Sequence, residues 1–480
     1  MQNKLFYILA LSSVIFGSCK KGYLDVNEVN PNQTENPPIN GLLASVTYQT
    51  GLNIYRAGNV TSYYVQQLAS PNASSGSDIY DNVDRSSLWF VVATPTSGNA
   101  GGGFYNTIGD IRVMQEKAIA NNGFQHIGVA KVLEAINMST LIDLFGDAPY
   151  TEAFNPTDFT PKYDKAEDIF NACIKLLDEA IVEFNKANPA IKLDASSDLI
   201  HGGVISAWIK TANALKARLL NRLSKRSSYS PTTILAALAN AYASNNDDAQ
   251  LTKFTGRSPW NQAAYNNTQL LLDGWMSEQF IDHLDGTTYG VFDPRIKYIT
   301  DTTKFGDYRG TPNGKGRIGT GTNKEESYLS VNGFYSKSGA PLLLVTYAEM
   351  KFIESEASFA TDKTRSYNAY LAGIAANMDK LGVTAVEKNT YLANPAVAVG
   401  VAAFTKDLIF KEKYTAMFLH PEAWTDARRY DYKYKDFTLP FNALLSTFIR
   451  RVGYPSTETD RNGENVPAVA SLADKLWWDQ

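Results

Sequence analysis

Six stretches of this chain repeat apolar residues with the period of an α-helix, and that pattern restricts the fold to helix packed on helix. Residues 164–186 place Ile169, Cys173, Leu176, Leu177, Ala180, Ile181 and Phe184 on one face, with Asp164 as the expected N-cap. Residues 203–224 align Val204, Trp208, Ala212, Leu215, Leu219 and Leu223, and residues 366–381 align Tyr367, Tyr370, Leu371, Ile374, Met378 and Leu381. Residues 127–144, 345–359 and 404–418 carry the same signal. Helices that follow one another through loops are expected to stack as hairpins in a right-handed array. No fixed 34-residue period and none of the usual tetratricopeptide signature residues occur, so any repeats are degenerate.

Between these blocks lie loop-rich stretches at 66–110, 145–162, 225–265 and 299–340. Loops of such length in a compact protein carry function or are disordered. No linker separates independent domains, so residues 41–480 are expected to form one domain with inserted loops.

The amino end reads differently. Lys4 is followed by a mostly apolar run over 5–16, then by Gly17, Ser18 and Cys19. The run is shorter than the ~20 apolar residues that span a bilayer and has the flanks of a cleaved export signal. It ends where a thiol can take a diacylglycerol, so residues 1–18 are expected to be removed and Cys19 to carry the lipid. Each buried CH₂ contributes ~0.8 kcal/mol, so two or three acyl chains anchor a protein firmly. Residues 19–40, with Asn30-Pro31-Asn32, Pro37 and Pro38, read as a tether.

Composition narrows the chemistry. A net charge of −4 lacks the basic excess of a general nucleic-acid binder. With Cys19 assigned to lipid, Cys173 is left without a partner and reads as a small core residue. The four histidines are scattered, and no HExxH or paired CxxC points to zinc. The glycines over 310–321 have the wrong spacing for a phosphate loop, and no GxSxG elbow occurs. No cofactor is expected. Glu354 and Glu356, on different faces of one helix, read as solvated or hydrogen-bonded to a loop. Arg428-Arg429 reads as an ion-paired knot with Asp426 and nearby carbonyls. Much of the content of 27 Tyr, 23 Phe and seven Trp must be core, but Tyr and Trp also stack on flat apolar faces while hydrogen-bonding at the rim.

Seven segments in order then suggest a family. Tyr23-Leu24-Asp25-Val26-Asn27 follows Cys19. Residues 141–150 read Leu-Ile-Asp-Leu-Phe-Gly-Asp-Ala-Pro-Tyr, where Gly146 suits a left-handed cap and Pro149 stops the helix. Asp198 to Gly202 leads to Trp208 and Leu215-Lys216-Ala217-Arg218. Tyr347-Ala348-Glu349 precedes Glu354 and Glu356-Ala357. Lys411 to Tyr414 precedes Glu422-Ala423-Trp424-Thr425-Asp426-Ala427-Arg428-Arg429. Arg451-Val452-Gly453-Tyr454-Pro455 and Leu476-Trp477-Trp478-Asp479 close the set. The chain resembles the SusD/RagB family of outer-membrane nutrient-binding lipoproteins. It departs from that pattern where Lys20 to Leu24 precede the first acidic residue after the lipid cysteine.

The resemblance implies a mainly α fold of tetratricopeptide-like hairpins with long inserted loops and few short strands. It implies a non-enzymatic protein, lipid-anchored at the outer membrane and facing the cell surface. Such a protein acts as the lid of a SusC-like TonB-dependent transporter and captures an oligosaccharide or peptide. Ligand contacts are expected from loop aromatics: Tyr80 and Trp89 in the first variable stretch, and Tyr308, Tyr328 and Tyr335 in the second, with Asp81, Arg85 or Arg309 bonding hydroxyls. Trp208, Trp424, Trp477 and Trp478 are expected to be structural. A helical scaffold that binds another protein, or a glycan-degrading enzyme with two carboxylates ~5–10 Å apart, are the alternatives.

Overall fold

The computed structural model describes residues 36–90, 102–155, 157–269, 273–320 and 324–480. Residues 1–35, and with them the expected signal and Cys19, lie outside the described residues. Sixteen α-helices occur among the described residues. They are α1 (Ile39–Tyr64), α2 (Ser86–Trp89), α3 (Phe104–Ala120), α4 (Phe124–Phe145), α5 (Ala166–Phe184), α6 (Ile205–Arg222), α7 (Pro231–Leu238) and α8 (Pro259–Thr268). There follow α9 (Glu278–Asp285), α10 (Tyr347–Ser358), α11 (Lys363–Leu381), α12 (Ala385–Leu392), α13 (Gly400–Ala403), α14 (Lys406–Ala416), α15 (Glu422–Arg429) and α16 (Ser456–Arg461). Four short strands, β1 (Leu68–Ala69), β2 (Ala249–Leu251), β3 (Trp275–Met276) and β4 (Leu342–Val345), make two antiparallel pairs. The mainly α fold expected from the periodicity is the one observed.

Helices α3 to α7 pack neighbour on neighbour, and α10 continues the array from α7 to α11 and α14. All six periodic segments are helices, within a few residues of their expected limits. α4 is buried on nearly every side and α5 on one stripe only, which places α4 inside and α5 at the surface. Cys173 is fully buried on that stripe.

Three local expectations need correction. Asp164 does not cap α5. It accepts from the Tyr150 and Thr151 amides at 2.9 Å, and the α5 amide of Ala166 is bonded instead by Asp147 at 2.8 Å. Gly146 ends α4 at φ +91°, ψ −133°, a conformation open to glycine but outside the left-handed helical region. The stretch 225–265 contains α7 and the start of α8, each opening on a Ser-Pro pair that sets the first turn.

Charges inside the array join helices distant in sequence. Arg218 on α6 forks onto Glu349 of α10 at 2.6 Å. Arg222 reaches Asp143 of α4 at 2.8 Å and Glu422 of α15 at 2.5 Å. Arg429 holds Glu356 at 2.8 Å and Asp426 at 2.7 Å, while Arg428 donates to the Asp143 and Arg450 carbonyls. The Arg428-Arg429 pair is therefore the structural knot expected. Glu356 is not solvated as expected but belongs to that knot; Glu354 pairs with Lys351 and Arg365 nearer the surface. The Arg218, Arg222 and Arg429 pairs are desolvated, so losing one partner costs far more than the pair contributes.

β1 pairs with β3, Leu68 opposite Met276 and Ala69 opposite Trp275. This ladder holds the loop after α1 beside the loops that lead to β4.

Candidate functional site

Immediately after β1 the chain turns around a buried carboxylate. Asp78 accepts from the Ser70 amide at 2.9 Å, from Asn313 Nδ2 at 2.9 Å and from the Gly314 amide at 3.1 Å. Burial pushes its carboxyl up to about 6, against the pull of those three hydrogen bonds. The backbone closes the same junction. Ser74 N donates to Gly314 O at 2.9 Å, and Arg317 N to Pro71 O at 3.0 Å. A third segment joins them: Phe441 N donates to Asn313 O at 2.9 Å and Leu444 N to Ile79 O at 2.8 Å. A Cβ on Gly314, whose φ is +80°, would stand 1.9 Å from Phe441 O, and one on Gly316 would stand 2.5 Å from Ala73 N. Only glycine lets these three backbones approach so closely. Gly314 and Gly316 therefore pack loops together.

The outer rim of this junction leaves large apolar groups in water. Ile318 is 69%, Leu444 62% and Phe441 58% exposed. Arg317 Nη1 lies among them, donating to Pro71 O at 3.2 Å and Asn72 Oδ1 at 3.3 Å. Beside the rim is a cleft of about 600 Å³ lined by Tyr80, Asp81, Asn82, Leu444, Tyr454 and Thr459, among others. Its size and its mix of apolar walls with a few polar groups suit a small organic ligand.

The structure distributes the aromatics singled out from sequence unevenly. Tyr80 is buried, edge-on to Tyr64 at 6.2 Å, with its hydroxyl toward Tyr64 O, and reaches the cleft only as part of its wall. Trp89 is buried between Tyr105 and Phe145, with ring centres 4.9 and 5.0 Å away. Tyr335 is buried against Phe334 and Phe418. The exposed placement expected for these three is corrected: the loops fold back on the helices and use their largest rings as core. Tyr308 and Tyr328 stay half-buried, the first beside Phe292 and the second beside Trp275. Asp81 is exposed, Arg85 donates to Ser77 Oγ at 2.8 Å, and Arg309 pairs with Asp307 at 2.7 Å above the Phe305 ring. Of the four tryptophans expected to be structural, Trp208, Trp424 and Trp478 are fully buried and Trp477 is partly so.

The sequence reading missed the segment 438–445. Its signal is modest: Phe441 and Leu444 stand without helical period among Pro440 and Asn442. Among the described residues, no cluster of three His, Cys, Asp or Glu is placed to hold a metal ion, and no helix is long and apolar enough to cross a membrane.

Comparison with known proteins gives one consistent result. Residues 31–455 match the profile of a SusD-like family described as starch-binding and associating with the outer membrane. A SusD/RagB family protein from Bacteroides thetaiotaomicron is 22% identical, with a TM-score of 0.72 over 92% of this chain and 99% of that one. A SusD homolog from Bacteroides fragilis is 21% identical, with a TM-score of 0.73 over 93% and 100%. A chitin-binding SusD homolog from Flavobacterium johnsoniae is 21% identical, with a TM-score of 0.71 over 92% and 98%. No protein among those curated for function matches the sequence significantly. With nearly all of its described helical array inside the matched span, the chain belongs to the SusD-like family of outer-membrane-associated binding proteins.

Proposed function

We propose that this protein captures a nutrient, an oligosaccharide or a peptide, and delivers it to a SusC-like TonB-dependent transporter as a lid subunit. Residues 41–480 act as one non-enzymatic binding unit, and lipid on Cys19 moors it at the cell surface. The observation that carries this reading is the convergence of three loop segments around Asp78, beside a cleft of about 600 Å³. Such a junction is rigid where it is buried and apolar where it meets water, which is what stacking on a sugar ring or a side chain requires. Tyr308 and Tyr328, which keep some exposed surface, remain stacking candidates, and Tyr80 forms part of the cleft wall. Lid closure follows if the ligand makes more contacts in the closed state than in the open one.

Two measurements test the reading. Purification from native outer membranes should bring a large β-barrel with the protein, and repeated recovery without one would refute the lid role. Cys19→Ala should move the chain into the soluble fraction; retention in the membrane fraction would refute the anchor.

A further inference from the structure

We propose that residues 466–470 are an open strand edge that receives an extended segment of a partner protein through backbone hydrogen bonds. The inference goes beyond nutrient capture, since it concerns how a second chain is held. α16 buries none of its side chains, and the chain that leaves it, Val466-Pro467-Ala468-Val469-Ala470, lines the cleft of about 600 Å³. Both ends of this segment are fixed. Before it, Asn462 donates to Pro161 O at 2.8 Å and Asn465 to Thr160 O at 2.9 Å. After it, Ser471 N donates to Asp474 at 2.9 Å, and Leu472 O accepts from the Arg450 and Arg451 amides at 2.7 and 3.1 Å.

Between these anchors the backbone is bare. No amide or carbonyl of 466–470 has a hydrogen-bond partner among the described residues. The segment holds no helix or turn, and none of its residues has a positive φ. Val466 precedes a proline, which confines it to extended conformations. In an extended chain the N–H and C=O of alternate residues point to the same side, so Val466, Ala468 and Ala470 offer both donors and acceptors along one edge. Pro467, which has no N–H, falls on the other edge. Val469 packs toward the core, while Ala468 and Ala470 are exposed. Side chains this small let a second backbone approach to the ~4.8 Å that separates neighbouring strands. No charged side chain guards the edge, and such guards are what keeps free edges from pairing. The size of the interaction selects the occupant. A free peptide held over five residues by backbone bonds alone must offset its whole loss of freedom, and net gains per bond are small. A segment of a protein already held beside this one is spared most of that loss by its high effective concentration.

Two experiments test the inference. In the first, the intact protein is titrated by ligand-observed NMR with the blocked peptide Ac-Thr-Val-Thr-Val-Thr-NH2 at millimolar concentration, and with the same peptide N-methylated at every residue. The plain peptide should bind weakly and the methylated one at least tenfold more weakly. Ala468→Pro, which removes one N–H from the edge, should weaken the plain peptide about tenfold, while Ala468→Ser, which keeps it, should bind as the unaltered protein does. A peptide indifferent to methylation, or to Ala468→Pro, would overturn the strand pairing. In the second, Ala468→Cys is labelled with a benzophenone maleimide and irradiated in native outer membranes; Cys173 is fully buried, so the label goes to position 468. The adduct should map to one contiguous segment of one protein, and excess plain peptide, but not the methylated one, should suppress it. Adducts with short free peptides only, or no adduct, would overturn partner docking and leave nutrient capture untouched.

Discussion

At the scale of single residues, the buried charges separate what is structural from what faces a ligand. Glu356 satisfies Arg429 through both oxygens and lies 3.4 Å from Lys413. Its removal leaves two buried cations to share Asp426 alone, so Glu356→Ala should lower stability by about 3–5 kcal/mol. Glu354, whose partner Arg365 is well exposed, should cost within about 1 kcal/mol when changed to Ala. Urea midpoints of the two variants check the contrast. Asp78 makes a different prediction. Its folded pKa, about 6, lies above the 3.8 of a free aspartate, so the folded state holds the proton more tightly between those values. Its contribution to stability is therefore full below about pH 4 and falls as pH rises through 6. Asp78→Asn should remove that component of the slope, measured as thermal midpoint against pH. The Arg428-Arg429 knot was legible because paired cations beside Asp426 have few other uses. The burial of Glu356 was not, because helical spacing gives a face but not what covers it.

At the scale of elements, periodicity located the long helices because each buries a stripe. It failed where elements are short or held by distant partners. α7 and the start of α8 went unseen inside 225–265, although each opens on a Ser-Pro pair that marks a helix start. The Asp164 carboxylate followed the chain reversal at Thr151, while Asp147, 19 residues before its target, took over the α5 amide. The loop junction was foreshadowed only in part. Two of its segments lie in stretches marked as long loops, but their meeting with 438–445 depends on close backbone approach at Gly314. Gly314→Ala puts a methyl against the Phe441 carbonyl in a backbone conformation costly to L residues. It should lower stability by about 1–3 kcal/mol and weaken ligand binding together. Differential scanning calorimetry and ligand titration on the same sample check this; a variant that loses stability but binds normally would detach the junction from the site.

At the scale of the whole molecule, the ion pairs act as staples between segments that are far apart in sequence. For Glu412, burial opposes ionisation, but Lys411 and Arg295 overcome it and hold the carboxyl near 2. For Glu422, burial is likewise outweighed by Arg222 and Arg218, with the same result. Both lie below the 4.5 of a free glutamate, so their stabilisation is complete above about pH 4.5 and is lost as pH falls toward 2. Thermal midpoints should therefore decline over that window, and Glu412→Gln should flatten the decline. The fold class was readable from sequence because helix stacking follows from local pattern. The candidate site was less so, since it forms only when loops separated by hundreds of residues meet. One feature of that site has a practical side. The six residues of α16 bury none of their side chains, while Asn462 just beyond them is buried and fastens the chain to the Pro161 carbonyl, so 456–461 form a replaceable cassette. Exchanging 456–461 between relatives should therefore leave either host scaffold folded, with its interior untouched.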